Sequence, residues 1–383
     1  RGLGDVYKRQ VLELSEMLIY IILYSMLLPG ILYDAVRKSL SAKKVVLGFY
    51  VLLFTLFRGL RWNTGTDWSQ YLWHFQYLNI DNVFSYSRYG GDETLEPLYA
   101  LINVLVGFVG NYSLFLLVTN LFVLYTYYWF SIKYTPKPVV TFALLLLCAS
   151  FFPVRMELAV TVLMWTIPSL VHRDFKSFLF VTVLAFLIHK ATIIYLPFYW
   201  LLHCRLGLFS QIGLYMVCTF MINEALISKI ILLLSSLIPI SSVQVAAQNY
   251  LHSNFDYGLE SVVSGSLSYV MAVSFLVLMH YSPIQKENIL YRVSVNAYLF
   301  MSCISQVIPE SLGDLGRVGG CFIWGLPIAF SFITECYLKT RFKYIAFMLL
   351  VLYCVYKFIR LCSLFPAALF PYYSIFDSPP YVR

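Results

Sequence analysis

The chain reads as an all-α, polytopic membrane helix bundle, and three observations carry that reading. Hydrophobic residues make up 60% of the 383 and charged residues only 12%, against about 25% charged residues in a soluble domain. The apolar residues come in long runs, and a run of roughly 18 or more with few charges spans a bilayer as a helix. The pattern lacks the alternating strands of about ten residues that mark a membrane β-barrel. In lipid every backbone amide must be satisfied internally, which leaves helices as the spanning element.

The apolar runs, in chain order, are Leu14–Tyr33, Val45–Phe57, Leu95–Val109, Leu114–Ile132, Val139–Phe152, Met156–Val171, Phe178–Leu202, Leu208–Ile227, Ile230–Val243, Val262–Tyr281, Ile289–Ile308, Val318–Tyr337 and Tyr344–Leu364. Tyr125, Tyr127, Tyr128, Trp129, Tyr195, Tyr199 and Trp200 crowd the run ends, as interfacial anchors do. Arg1–Gln10 reads as a non-native leader and is set aside. Residues 11–365 read as one transmembrane domain and 366–383 as an extracytoplasmic tail. The eight cysteines are scattered, with no CxxC pair and no Cys/His ligand spacing, so neither a disulfide framework nor a metal site is indicated.

Orientation follows from Lys and Arg. Arg37, Lys38, Lys43 and Lys44 form one basic connection, and Lys339, Arg341 and Lys343 another; both are cytoplasmic by the positive-inside rule. Lys133 with Lys137, Arg173 with Lys176, and Lys286 with Arg292 point the same way, provided one early run does not cross. Leu95–Val109 is the run to remove: it is short, interrupted by Asn103 and Gly107, and follows an acidic loop. It is expected as an interfacial or re-entrant helix. About twelve crossings remain, with both termini outside. The excess of basic residues then reports cytoplasmic loops and not a nucleic-acid partner.

That arrangement gathers the remaining polar residues on the outer face. Arg58 and Arg61, three apart, are expected to share a helical face. Asn63-Thr-Gly-Thr-Asp67 breaks the helix, and Asp67 is placed to cap an aromatic, amphipathic helix over Trp68–Leu78. Arg binds phosphate bidentately and keeps its charge near lipid, so the pair suits a lipid diphosphate; it also reads as two anchors beside a structural cap. Arg155 and Glu157, two apart, cannot face each other on a helix and need other partners. Each costs about 2.5–3.5 kcal/mol to place in the membrane, which a role or an interfacial salt bridge would justify. His189 and Lys190 lie inside Phe178–Leu202, expected in the outer half of one helix. His189 suits a general base, a group that orients one, or a helix-to-helix hydrogen bond. Glu310, Asp314 and Arg317 form an outer loop at the mouth of a helix, and Gln244–Glu260 is a polar, aromatic loop that suits sugars or simple exposure.

At these residues the chain resembles the EpsG family of exopolysaccharide polymerases, relatives of the Wzy-type O-antigen polymerases. Arg61, Gly65-Thr66-Asp67 and Tyr71 match the family opening; Glu96-Pro97, Arg155 with Leu158 and Ala159, His189 and Arg317 match later motifs. Met156 stands where the family has Gln, and Lys190-Ala191 follows His189 in place of the commoner Pro-Ser or Lys-Ser, which is expected to leave that helix unkinked. The resemblance implies a GT-C-like multi-helix fold without a nucleotide-sugar domain, a metal or another cofactor. It implies a multi-pass protein of the bacterial cytoplasmic membrane, active on the extracytoplasmic side. The implied substrate is a polyprenyl-diphosphate-linked glycan, polymerised in membrane lipid alongside other polysaccharide assembly proteins. On that reading Arg58, Arg61, Arg155, Lys190 and Arg317 bind diphosphate, and Asp67, Glu157 or His189 takes the acceptor proton. The rivals are a transporter or flippase of the same lipid-linked glycan, a membrane acyltransferase acting on polysaccharide, and a non-catalytic assembly subunit.

Overall fold

The computed structural model describes residues 16–36, 39–87, 94–152, 154–221, 259–282, 284, 288–307 and 316–377, with backbone alone at 221, 259–268, 316, 317 and 364. It is all-helical, with no strand among the described residues. Five segments are long and apolar enough to cross a membrane: Glu16–Val36, Leu40–Gly59, Tyr112–Tyr134, Val318–Tyr337 and Lys343–Ser363. Several of the other helices, Pro97–Gly107, Pro138–Cys148 and Phe175–Phe186 among them, are shorter than the apolar runs suggest.

Local chemistry sets the boundaries. α1 (Glu16–Val36) is followed by Ser39, whose hydroxyl accepts the Ala42 amide and opens α2 (Leu40–Gly59). α3 (Trp68–Tyr77) follows the loop after α2. α4 (Pro97–Gly107) opens on a proline, where a missing N–H costs nothing. Asn111 caps α5 (Tyr112–Tyr134) by accepting from the Leu114 amide at 3.1 Å. Pro136 ends α5, and Pro138 opens α6 (Pro138–Cys148). α7 (Arg155–Met164) and α8 (Ile167–His172) are separated by Trp165 and Thr166. Arg173 closes α8 in the left-handed region (φ 57°), and Asp174 then caps α9 (Phe175–Phe186). A 3-10 turn (Lys190–Tyr195) leads to α10 (Phe198–Leu201) and α11 (Leu208–Met216). α12 (Leu259–Tyr281) and α13 (Ile289–Val307) precede a second 3-10 turn (Gly316–Phe322). α14 (Gly325–Tyr337), α15 (Lys343–Leu364) and the short α16 (Pro366–Leu369) complete the chain.

The bundle has two chemically distinct ends. At the first, Lys43 pairs with Asp34 at 2.6 Å, and Lys137 donates to the Asp34 carbonyl and pairs with Glu335 at 3.1 Å. Lys339 adds to Glu335 one turn on. The Asp34 carboxylate also accepts the Val139 and Val140 amides at 2.7 and 3.2 Å, satisfying the first turn of α6. This lysine end ties α1, α2, α6 and α14 together. At the opposite end lie Arg58, Arg61, Arg155 and their partners. α6 runs between the two as the axis of the bundle, buried from Pro138 through Leu147.

Small residues set the closest helix approach. A Cβ at Gly59 would sit 2.6–2.9 Å from Leu117, so α2 and α5 meet on that glycine. A Cβ at Gly325 would come within 2.7 Å of Ser294 O and Tyr298 N, fixing α14 against α13.

Two expectations change here. Phe178–Leu202 is not one helix but a hairpin. α9 stops at Phe186, and the returning chain packs beside it, with Phe178 on Tyr195 (5.5 Å) and Phe175 on Trp200 (5.2 Å). His203 then reaches the Leu170 carbonyl near the lysine end. No proline is needed at the break, because the Leu187 carbonyl accepts the Leu98 and Tyr99 amides from the first turn of α4. Those amides have no partner inside their own helix, so two helix ends satisfy each other. The second concerns the Arg pair: Arg58 lies in the last turn of α2, but Arg61 lies beyond it in a loop bridged to Ser374.

α4 enters and leaves at the same end of the bundle. Glu96, at its start, meets Arg155; Tyr112, just past its end, packs on Trp68 at 5.6 Å. Its 11 residues span about 16 Å, roughly half a bilayer core. The Gln244–Glu260 loop through residue 258, the Ile230–Val243 run, and Glu310 and Asp314 lie outside the described residues.

Candidate functional site

Several separate elements bring polar side chains to the end opposite the lysines. α2 supplies Arg58, fully buried. Its guanidinium donates to Glu157 Oε1 at 3.1 Å and to the Ser150 carbonyl at 3.1 Å. Tyr127 of α5 donates to the same Glu157 oxygen at 2.9 Å. Glu157 is thus clamped from two sides, on the first turn of α7. Arg58 finds its counter-charge across the bundle, and the same contact answers Glu157's need for a partner other than Arg155.

Arg61 follows in the loop. It donates to the Phe152 carbonyl at 2.9 Å and lies 4.7 Å from the Phe152 ring centre. Arg58 and Arg61 therefore hold the backbone of one short connection, Ser150 to Phe152, which leads directly into Arg155. Gly65 packs beneath Arg61: its φ is +103°, and a Cβ there would stand 3.2 Å from the guanidinium. Asp67 is the N-cap residue of α3 as expected, but its side chain makes no cap hydrogen bond. The residue is half-buried and stands in the same loop as Arg61.

Arg155 opens α7 and is 1% exposed. It donates to Glu96 Oε2 at 2.7 Å, and the other Glu96 oxygen accepts the Lys190 amide at 3.3 Å. Glu96 thus joins the starts of α4 and α7 to the apex of the α9 hairpin. His189 occupies that apex and is fully buried. Its Nδ1 accepts the Ala191 amide at 3.3 Å, which places the proton of a neutral ring on Nε2. The imidazole then presents a donor, whereas a base needs an uncommitted lone pair. Lys190 is solvent-exposed beside it. Arg317 is the second residue of the second 3-10 turn, and its side chain lies outside the described residues.

The tail joins this end of the bundle. Trp62 N donates to the Tyr373 carbonyl and Gly65 N to the Ala368 carbonyl, each at 2.8 Å. Tyr373 N donates to Thr64 Oγ1 at 3.1 Å, and the Tyr372 hydroxyl to the Phe57 carbonyl at 2.7 Å. Residues 366–377 form a strap over the Arg61 loop.

Of the expected residues, Arg58, Arg61, Arg155, Glu157, His189 and Lys190 converge at one end, with Asp67 at its edge. Glu96, Tyr127 and the tail tyrosines were not expected as site members. Glu96 carried a signal, being an acid just before Pro97 at the start of an apolar run. Tyr127 carried none that sets it apart from the neighbouring aromatic residues.

A bundle of apolar helices with buried guanidinium groups at one end, and no strand among the described residues, defines a polytopic membrane protein. The sequence profile of the EpsG family matches residues 44–374, most of the chain, and the protein belongs to that family. Membership carries with it a polysaccharide-polymerase type of function, glycosyltransferase-like in kind. No curated protein and no solved structure matches the chain.

Proposed function

We propose that this protein joins lipid-linked oligosaccharide repeat units into an exopolysaccharide or O-antigen-type polymer, taking the growing glycan from a polyprenyl diphosphate carrier. One observation carries the reading: guanidinium groups from the end of α2, the following loop and the start of α7 gather at one end of an apolar bundle. Leaving-group diphosphate needs positive charge and oriented donors where its negative charge develops. Arg61 and Arg155, with Lys190 beside them, supply that charge. The Arg58–Glu157 pair neutralises itself and holds the Ser150–Phe152 connection in place. Arg317 is assigned to the second carrier's phosphates. A carboxylate of the cluster, Asp67 among the candidates, receives the acceptor's proton, and His189, with its Nδ1 committed to the Ala191 amide, presents a donor beside it.

Orientation supports an outward-facing site. Lysines gather at the opposite end, and under the positive-inside rule this supports a guanidinium end on the extracytoplasmic side of the bacterial cytoplasmic membrane. In this reading α3 and α4 lie on the outer side, and the α9 hairpin contributes two passes where the apolar run suggested one.

The test is incubation of the purified protein with lipid-linked repeat units, scored for a ladder of polymer lengths. A ladder supports the reading; unreacted repeat units overturn it. A second reading rests on the break at Leu187 facing the start of α4, because paired broken helices also serve transporters. Single repeat units that accumulate on the inner leaflet of a deletion strain, and not the outer, would favour that flippase.

A further inference from the structure

Glu96 stands outside every role assigned so far, yet both of its carboxylate oxygens are engaged at the guanidinium end. It is 7% exposed. One oxygen takes the Arg155 guanidinium at 2.7 Å and the other takes the Lys190 amide at 3.3 Å. Its main chain is fixed independently: Glu96 is the N-cap residue of α4, and its carbonyl accepts the Ala100 amide at 2.9 Å. The carboxylate therefore occupies the space between the guanidinium of one element and the amide and ammonium-bearing residue of another. A phosphate oxygen bound by Arg155 and Lys190 would claim the same space.

We infer that Glu96 is the counter-ion Arg155 exchanges for the substrate's diphosphate, and that the displaced carboxylate is the base for the acceptor hydroxyl. The inference rests on the reading given under Proposed function and adds to it a residue and an order of events.

The physical case has three parts. First, an Arg buried near lipid without a partner is costly, so the empty site needs an internal anion, and Glu96 supplies it. Second, a diphosphate carries more charge than a carboxylate and engages a guanidinium through two parallel hydrogen bonds. It therefore competes for Arg155 while Arg61 and Lys190 add charge on the same side. Third, a carboxylate that loses its cation in a poorly solvated site becomes a stronger base. Binding of the donor thus creates the base that its own transfer requires. The alternatives lack the exchangeable cation: Glu157 shares one oxygen between Tyr127 and Arg58, whose guanidinium is also held by the Ser150 carbonyl, and the Nδ1 lone pair of His189 is committed to Ala191.

The step balances. The acceptor hydroxyl oxygen bonds to the anomeric carbon of the donor glycan. The bond from that carbon to the diphosphate oxygen breaks, and its electron pair stays on the diphosphate. The hydroxyl proton passes to the Glu96 carboxylate, which later yields it to water.

The test uses the purified full-length protein and two readouts: binding of farnesyl diphosphate as a short-chain probe, and turnover of lipid-linked repeat units. Glu96→Gln keeps the shape and removes the charge. It is expected to bind the probe several-fold tighter than wild type, because its rival anion is gone, and to lose turnover by about 10²-fold or more. Unchanged turnover, or weaker probe binding, overturns the inference. If Glu96→Gln fails to fold, Glu96→Asp carries the test. It keeps the charge, shortens the reach, and is expected to cut turnover at least tenfold without weakening probe binding; wild-type turnover overturns the inference. Arg155→Lys separates the two levels. If it binds the probe as wild type does, the diphosphate site itself is wrongly placed; if it loses the probe while Glu96→Gln behaves as wild type, only the role of Glu96 fails.

Discussion

Arg58 and Glu157 are 99 residues apart in sequence and 3.1 Å apart in the bundle, with neither side chain more than a few per cent exposed. A pair so buried is a strut. Removing one partner leaves the other charge stranded, at a cost of about 3–5 kcal/mol. Arg58→Ala is therefore expected to lower the thermal midpoint in detergent and reduce protein in the membrane. The double variant Arg58→Met/Glu157→Leu should recover most of that loss. A single variant as stable as wild type would remove the strut from the argument.

Arg155 is expected to behave differently. Arg155→Lys keeps a cation opposite Glu96 but loses the planar fork that grips a diphosphate. Protein level should stay near wild type while polymer yield falls about 10²–10³-fold. The check is immunoblotting beside polymer-length gels, and a wild-type length distribution would count against the role of Arg155.

Gly65 links backbone geometry to the site. With φ at +103° and Arg61 just above it, Gly65→Ala must strain the loop and displace the guanidinium. A cost above about 1 kcal/mol is expected, together with a loss of polymer like that of an Arg61 variant. Gly48 is the control: nothing lies within 4 Å of its Cβ position, so Gly48→Ala on α2 should be neutral or stabilising by up to about 1 kcal/mol. Equal activity in the two variants would contradict the contact drawn between Gly65 and Arg61.

Orientation can be read by labelling. Ser69 on α3 and Arg341 before α15 are both exposed, at opposite ends of the bundle. In a background with Cys204 replaced by Ser, Ser69→Cys should react with a membrane-impermeant thiol reagent in intact cells. Arg341→Cys should react only after permeabilisation. The reverse pattern would place the guanidinium end in the cytoplasm and end the polymerase reading.

The tail strap carries a pH dependence. Asp377 accepts the Ser374 amide and hydroxyl at 2.8 and 2.7 Å, and these donors, the hydroxyl first, hold its pKa below the usual carboxylate value. A depressed carboxylate pKa stabilises the ordered tail above the unfolded value of about 3.9. That contribution fades as pH falls through the lower folded value. A spin label at Phe376→Cys should be restrained at neutral pH and gain mobility only below about pH 4, with Asp377→Asn mobile throughout. Equal mobility of the two proteins at neutral pH would show that Asp377 does not hold the strap.

Much of this molecule was legible in its residues. The helices over 40–59, 112–134, 289–307 and 343–364 follow apolar runs closely, because the membrane rewards uninterrupted apolar length. The need of Arg155 and Glu157 for separate partners followed from helical spacing alone. The hairpin at His189 was not legible. Hydropathy reports how apolar a segment is, not which way it runs, and the break depends on α4 amides that lie far away in sequence.

By itself the sequence determined that this is an all-helical membrane protein, which family it belongs to, and which arginines stand apart from the lysine-rich connections. Composition and motif order encode those facts locally. Only the tertiary structure decided which charges neutralise each other: Arg58 with Glu157, Arg155 with Glu96, Lys43 with Asp34, and Lys137 with Glu335. A buried charge is partnered by whichever element packing brings within about 3 Å, and no local pattern records that distance.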